Sequence, residues 1–315
     1  MTKNLWIQAV VLTCSLLATA CYFPENTETK EYEETFSGVK EIEVEGRFLE
    51  VSYEGRAGEQ NVFLSALLEV PEDKGFEVKY RQSGSKLKIE LVGDTEIVGW
   101  NFGSKMDGFI TLIGPEEMKL DLKCSSGSVD VMNVSHEQVN LKASSGSIKV
   151  MGIEVDRGNI AASSGSIRGE GLAGNFDCQV SSGSIRLKDM LGDLTAKASS
   201  GSIKLEDIQG KVDAKVSSGS IRMNNVSEMG DISASSGSIR AEQSGFGPGS
   251  SFQANSGNIK IQTSSQLDDY NFEMKSGSGS IKVGNQSGSK SLKINNNSDH
   301  TVKGKVSSGS IRITD

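Results

Sequence analysis

A short phrase, Ser-Ser-Gly-Ser-Ile, recurs along the rear of this 315-residue chain. Allowing Val for Ile, its glycine falls at Gly127, Gly146, Gly165, Gly183, Gly201, Gly219, Gly237 and Gly309, with degenerate copies at Gly257 and Gly279. The first seven glycines are 19, 19, 18, 18, 18 and 18 residues apart. A fixed period of this size marks one supersecondary unit per copy. A single unit cannot bury its own apolar face, so the copies must stack and share a core.

Each period alternates. Leu194, Ala196 and Ala198 fall on one face and Thr195 and Lys197 on the other; past the glycine, Ile203 and Leu205 point in and Lys204 out, with Ile208 closing the period. The next copy repeats the scheme with Val212, Ala214, Val216, Ile221, Met223 and Val226. Period-two alternation in short runs punctuated by glycine means strands, not helices. The pattern therefore predicts an all-β fold, a parallel β-solenoid of about 18-residue rungs. Each turn carries two or three short strands, and ten rungs make a rod about 50 Å long. The glycine column is expected to mark a corner where the chain needs positive φ. Its flanking serines are expected to satisfy the corner backbone and to bond the neighbouring rung.

The regular rungs run over residues 121–315. Residues 37–120 alternate less regularly, as in Leu87-Lys88-Ile89-Glu90-Leu91, and are expected to form an irregular β region that caps the solenoid. Cys124 and Cys178 sit in inner columns three rungs apart, beyond disulfide reach, and read as small buried hydrophobes.

The front of the chain reads as an address. Lys3 precedes an apolar stretch ending in small residues before Cys21. This is a lipoprotein-type signal peptide over residues 1–20, too short for a membrane span, with Cys21 as the lipidation site. Glu25, Glu28, Glu31, Glu33 and Glu34 make residues 21–36 an acidic tether. Residues 22–120 carry 21 acidic and 11 basic side chains, a balance of −10, against 20 and 21 in residues 121–315. With Lys3 these sum to the net charge of −8. No strongly basic field typical of a dedicated DNA binder results.

A lipoprotein-type signal, alternating strands, an Ile-Thr-Leu-Ile-Gly-Pro entry at residues 110–115, the Ser-Ser-Gly-Ser-Ile rungs and a closing Val306-Ser307-Ser308-Gly309-Ser310-Ile311 together resemble one family. It is the bacterial adhesin-type family of β-strand-repeat (β-helix) envelope proteins, whose domain has no established function. The resemblance covers about residues 36–315. Many relatives carry Ser-Gly-Asp-Ile where this chain has Ser-Gly-Ser-Ile, so that acidic column is missing here. The resemblance implies a β-helix in the bacterial cell envelope, lipid-anchored at the outer membrane, and brings no catalytic residues with it.

One feature is the chain's own. The residue after the rung isoleucine is basic nine times, at Lys149, Arg168, Arg186, Lys204, Arg222, Arg240, Lys260, Lys282 and Arg312, and only Asp130 in the first full rung breaks the column. In a solenoid these side chains form a ladder along one outer face. Like charges about 5 Å apart repel, so the ladder needs compensation. Glu170, Asp189, Glu206, Asp207 and Glu242 are candidate internal partners. The alternative is an anionic polymer such as lipopolysaccharide or an acidic polysaccharide, which Arg suits well. The ladder lacks the stacking aromatics of a nucleic-acid site, so specific nucleic-acid binding is not predicted.

The function expected is a non-enzymatic envelope adhesin or binding scaffold. A self-associating structural scaffold is the alternative, since Ile311-Arg312-Ile313-Thr314-Asp315 follows the last rung without a visible cap. A polysaccharide-active β-helix enzyme would need clustered carboxylates, and here they are scattered. Two histidines in unrelated places and four cysteines outside Cys-x-x-Cys pairs predict no catalytic residues, no metal site and no cofactor.

Overall fold

A computed structural model of the protein describes residues 27–93 and 106–315. Cys21 and the signal segment lie outside the described residues. The described chain is built of β-strands, with two short 3-10 turns at Glu72–Lys74 and Leu267–Asp269 and no α-helix.

Repeat copies pair in parallel and in register. Ile148 faces Ile167, which faces Ile185, then Ile203, Ile221, Ile239 and Ile259. Each rung has three walls. The ladder wall follows the Ser-Gly corner, as in Ile203–Glu206; a short wall follows at Ile208–Gln209; a return wall at Val212–Ser218 leads to the next corner. Alternation decides what is buried. Ile203, Leu205, Ile208, Val212, Ala214 and Val216 are all sealed inside, while Lys204 and Lys215 are exposed. Small inner residues keep the rod narrow. Where a large one intrudes, its neighbour shrinks: a side chain on Gly158 would lie 2.3 Å from the Phe176 ring in the next rung. Cys124 and Cys178 are unpaired and buried, three rungs apart, and burial pushes both thiols up to about 12.

The corner glycines are needed for a different reason than the sequence suggests. Gly201, Gly219, Gly237, Gly257, Gly279 and Gly309 do have positive φ, between 128° and 149°. Gly127, Gly146, Gly165 and Gly183 do not. What all of them share is stacking at contact distance. A Cβ on Gly146 would sit 1.8 Å from the carbonyl oxygen of Gly127, and one on Gly219 would sit 1.8 Å from that of Gly201. The backbone of each corner rests on the corner below, and no side chain fits between them. The following serine adds rung-to-rung bonds, such as Ser280 Oγ to Ser310 Oγ at 3.2 Å and the Asn258 amide donating to Ser238 Oγ at 3.2 Å.

Each rung has a second corner. Between the ladder wall and the short wall, Asn133, Gly152, Gly171, Asp189, Asp207, Asn225 and Gln243 all adopt left-handed backbone with φ between 49° and 65°. Asn, Asp and Gly are the residues that tolerate this region best. Asn225 Nδ2 donates to Asp207 Oδ1 at 2.7 Å, so this column is also tied along the rod.

Neither end follows sequence order. At the front, strands Glu41–Arg47 and Glu50–Arg56 form a rung that stacks on Lys119–Cys124 and Val129–Ala143. Later strands, Lys86–Val92 and Asp107–Pro115, cover its other side. Antiparallel strands Asn61–Pro71 and Glu77–Ser83 then close the walls. Thr27–Ser37, in the span expected to be an acidic tether, is an eleven-residue strand antiparallel to Asn61–Pro71. Its alternate residues Lys30 and Tyr32 explain why: Lys30 Nζ donates to the Phe76 carbonyl at 2.9 Å, and Tyr32 Oη accepts from the Val78 amide at 3.2 Å.

At the rear, the rung of Thr301–Ser308 and Ile311–Thr314 is interior. It pairs with Phe246–Ser256 and Ile259–Thr263 on one side and with Asn271–Ser278 and Ile281–Val283 on the other. The expectation of an uncovered last rung is thus corrected. The segment between residues 284 and 300 folds back, so that Gln286–Gly288 and Ser291–Ile294 run antiparallel along the outermost rung. Short, polar, antiparallel strands at an edge discourage further strand addition.

The front rung carries a charge cluster with a testable consequence. Lys86 Nζ lies 3.0 Å from Glu41 and 2.7 Å from Glu43, and Lys119 Nζ lies 3.1 Å from Glu41. The hydrogen bond from Lys86 holds both carboxyls below their usual range. A depressed folded value stabilises above the unfolded one, near 4.5, and the gain is lost as pH falls through the folded values. Lys86→Gln is therefore expected to destabilise the front rungs most at pH 7 to 8, where the gain is present in full, and by progressively less as pH falls below about 4.5, where the parent loses that gain too. Urea denaturation followed by circular dichroism at pH 7.5 and at pH 3 to 4 reads the difference.

Candidate binding face

The parallel register brings the nine basic residues into one line. Lys149 faces Arg168, Arg168 faces Arg186, and Lys204, Arg222, Arg240 and Lys260 follow. Arg312 comes next, because its rung is interior, and Lys282 is last. Spacing along a parallel ladder is about 4.8 Å. All nine side chains are exposed on the ladder wall. Toward the front the same line carries no further cation: Lys149 faces Asp130, Asp130 faces Ser52, Ser52 faces Thr111, and Thr111 faces Ser65, which faces Glu33.

Internal compensation is sparse. Lys204 Nζ lies 3.2 Å from Glu206, and Arg240 binds Glu242 through Nε at 2.7 Å. Glu170 and Asp189 instead face Lys188, at 4.0 and 3.4 Å, and Asp207 is engaged by Asn225. Among the described residues, Lys149, Arg168, Arg186, Arg222, Lys260, Lys282 and Arg312 make no ion pair. Two carboxylates thus serve nine cations.

The second basic column is weaker. Lys123 and Lys142 adjoin, but Ala161 and Gln179 separate them from Lys197 and Lys215, and Ser233 and Gln253 separate those from Lys305. A neighbouring row on the return wall holds Asp121 and Asp213, which pair with Lys123 and Lys211 at 3.3 and 3.4 Å. Lys142, Lys197, Lys215 and Lys305 make no ion pair among the described residues, so the two walls differ in continuity: the return column is interrupted, and the ladder is not. Beside the ladder runs a shallow groove of about 300 Å³. Met151, 40% exposed, and the backbone at Gly169 give it an apolar floor between Lys149, Arg168 and Arg186. The sequence carried the signal for that floor in Met151, four residues before the buried Val155, but alternation alone does not mark an exposed methionine as a groove.

A column of stacked glycines at one corner, basic residues in register beyond it and antiparallel caps at both ends can be set against known families. The family model described as Toastrack DUF4097 matches residues 57–224 and again residues 170–314. The chain belongs to the Toastrack DUF4097 family. Two overlapping Toastrack matches along one rod reflect the repeat itself, since any run of rungs resembles the next. The search of curated proteins gave no match.

Among solved structures, this Toastrack chain is similar to a "putative adhesin" from Parabacteroides merdae ATCC 43184. Identity is 12%, covering 92% of this chain and 97% of that one, with a TM-score of 0.45. A "putative lipid binding protein" from Parabacteroides distasonis ATCC 8503 is 18% identical over 76% of this chain and 95% of that one, with a TM-score of 0.42. A "putative cell adhesion protein" from Clostridium sporogenes ATCC 15579 is 11% identical over 91% and 99%, with a TM-score of 0.28. Likeness at this level carries no argument about what the Toastrack chain binds.

Proposed function

We propose that the protein is a non-enzymatic binding scaffold of the bacterial cell envelope, whose ladder wall holds an anionic polymer. The observation that carries this reading is the line of nine cations with carboxylate partners for only two. The lysine column on the return wall is interrupted by neutral residues, which limits repulsion there, whereas the ladder runs unbroken through nine rungs. An extended polyanion supplies many negative groups at once, and the guanidinium forks of Arg168, Arg186, Arg222, Arg240 and Arg312 suit carboxylate or phosphate. Lipid anchoring through Cys21 would place this face at a membrane surface.

The test compares the protein with a variant carrying Arg186→Gln, Lys204→Gln, Arg222→Gln and Arg240→Gln, against acidic polysaccharides, lipopolysaccharide and DNA at two salt concentrations. With roughly 1 kcal/mol per basic side chain near an anionic surface, the variant should bind about 100-fold more weakly or worse at low salt. Its thermal stability at low salt should hold or rise, because mutual repulsion is relieved. Equal binding by both proteins, or none by either, would remove the reading.

A further inference from the structure

The short wall stops before the rod does. Val134, Ile153, Leu172, Met190, Ile208 and Val226 supply its buried side chain rung after rung, and Ser244 and then Thr263, which pairs with it, take the place in the next two. Beyond Thr263 the wall has no counterpart among the described residues. Ile259–Thr263 runs into the turn at Leu267–Asp269, and Ile281–Val283 turns back at Gly284, φ 53°, into Gln286–Gly288. The space left between these turns is a cleft of about 860 Å³, the size of a small-molecule site.

Its lining is chemically selective. Phe272 and Ile294, both buried, and the half-buried Leu267 give it an apolar floor. Above them stand four amide side chains, Gln266, Asn285, Gln286 and Asn296. Asn296 is committed to the fold, donating to the Leu267 and Tyr270 carbonyls at 3.2 and 2.9 Å. Gln266, Asn285 and Gln286 are exposed and make no side-chain hydrogen bond among the described residues. The charged residues that line the cleft are one cation, Lys282, also the last member of the ladder, and two carboxylates, Asp268 and Asp315.

We infer that this cleft is a saccharide-binding site continuous with the ladder, so that the polymer held there is an acidic polysaccharide with a sugar unit seated in the cleft. The inference rests on the ladder reading and narrows it. An amide both donates and accepts, as a sugar hydroxyl does, whereas phosphate offers acceptors alone and calls for cations. The apolar floor suits the C–H face of a pyranose ring. Lipid phosphate, polyphosphate and nucleic acid could lie along the ladder but meet one lysine against two carboxylates in the cleft, whereas sugar hydroxyls can donate to Asp268 and Asp315.

The test uses hexamers of galacturonate, alginate and hyaluronate, with linear polyphosphate of matched charge as comparator, titrated calorimetrically into the full chain. At least one hexamer should bind about tenfold more tightly than polyphosphate. Gln266→Ala with Gln286→Ala should erase that preference and leave polyphosphate binding unchanged. Asn285→Ala, a single change on the turn beside Gln286, is the second variant in case the first shifts the melting temperature. A preference that survives both variants, or hexamers that never exceed polyphosphate, overturns the cleft site while the ladder reading stands. Absence of salt-sensitive binding to every probe, polyphosphate included, overturns both.

Discussion

Alanine at Gly219 is expected to destabilise the protein by about 3–5 kcal/mol, among the largest effects a single methyl group can have. Two costs combine. The added Cβ would lie 1.8 Å from the Gly201 carbonyl oxygen, so the corner stack must open. The backbone at φ 140° is also strained for any residue but glycine, worth about 1–3 kcal/mol by itself. The stack runs through Gly183, Gly201, Gly219 and Gly237, each resting on the last, so relief at one corner shifts the next. Gly249→Ala is the control. Nothing lies within 4 Å of its Cβ position and its φ is ordinary, so the change should stay within about 0.5 kcal/mol. Urea denaturation of the two variants and the parent reads the difference. Equal midpoints would show that the rungs slide apart freely, which the close glycine contacts deny.

Deleting residues 300–315 is expected to unravel the rear of the rod rather than shorten it. In an ordinary repeat array, losing the last unit removes one interface. Here the deleted rung has a neighbour on each side, so two interfaces go. Phe252 and Met274 pack against its strand from opposite sides, through positions where Gly304 leaves room, and Ile259 and Ile281 both face Ile311. Both flanking rungs would then present buried apolar surface and unpaired backbone to water. Proteolysis within residues 246–294 should speed up by about 100-fold, equivalent to about 3 kcal/mol of lost local stability. The ladder wall from Lys149 to Arg222 should stay protected. Cleavage confined to the new chain end would mean that the flanking rungs hold without it.

The regular part of the fold was legible because its physics is local and repetitive. A buried isoleucine every 18 or 19 residues, with alternation on both sides of a glycine, leaves a parallel stack as the one arrangement that buries every copy. The ladder follows from the same register, since Lys204 must point out where Ile203 and Leu205 point in. The acidic first strand was harder to read. In Thr27–Ser37 the glutamates outnumber the apolar residues, and what orders it is antiparallel pairing with Asn61–Pro71, a contact across more than twenty residues. The left-handed column at Asn133, Asp189 and Asn225 was written in residue type alone, and Asn and Asp also occur wherever a chain meets water.

The sequence by itself determined the period, the strands, the inner and outer faces and the stacked cations, because burial and alternation act on each rung separately. Which copy lies beside which at the ends was settled only in three dimensions. The motifs at Gly257, Gly279 and Gly309 are nearly the same, so each could stack on any other at similar energy. The chain from residue 284 to 300 decides among them: by folding back as an antiparallel edge it fixes the Gly279 rung outermost and leaves the Gly309 rung inside. The cleft exists for the same reason. It is the space where the short wall ends, and an absent wall leaves no mark in a sequence until the neighbours that would have covered it are in place.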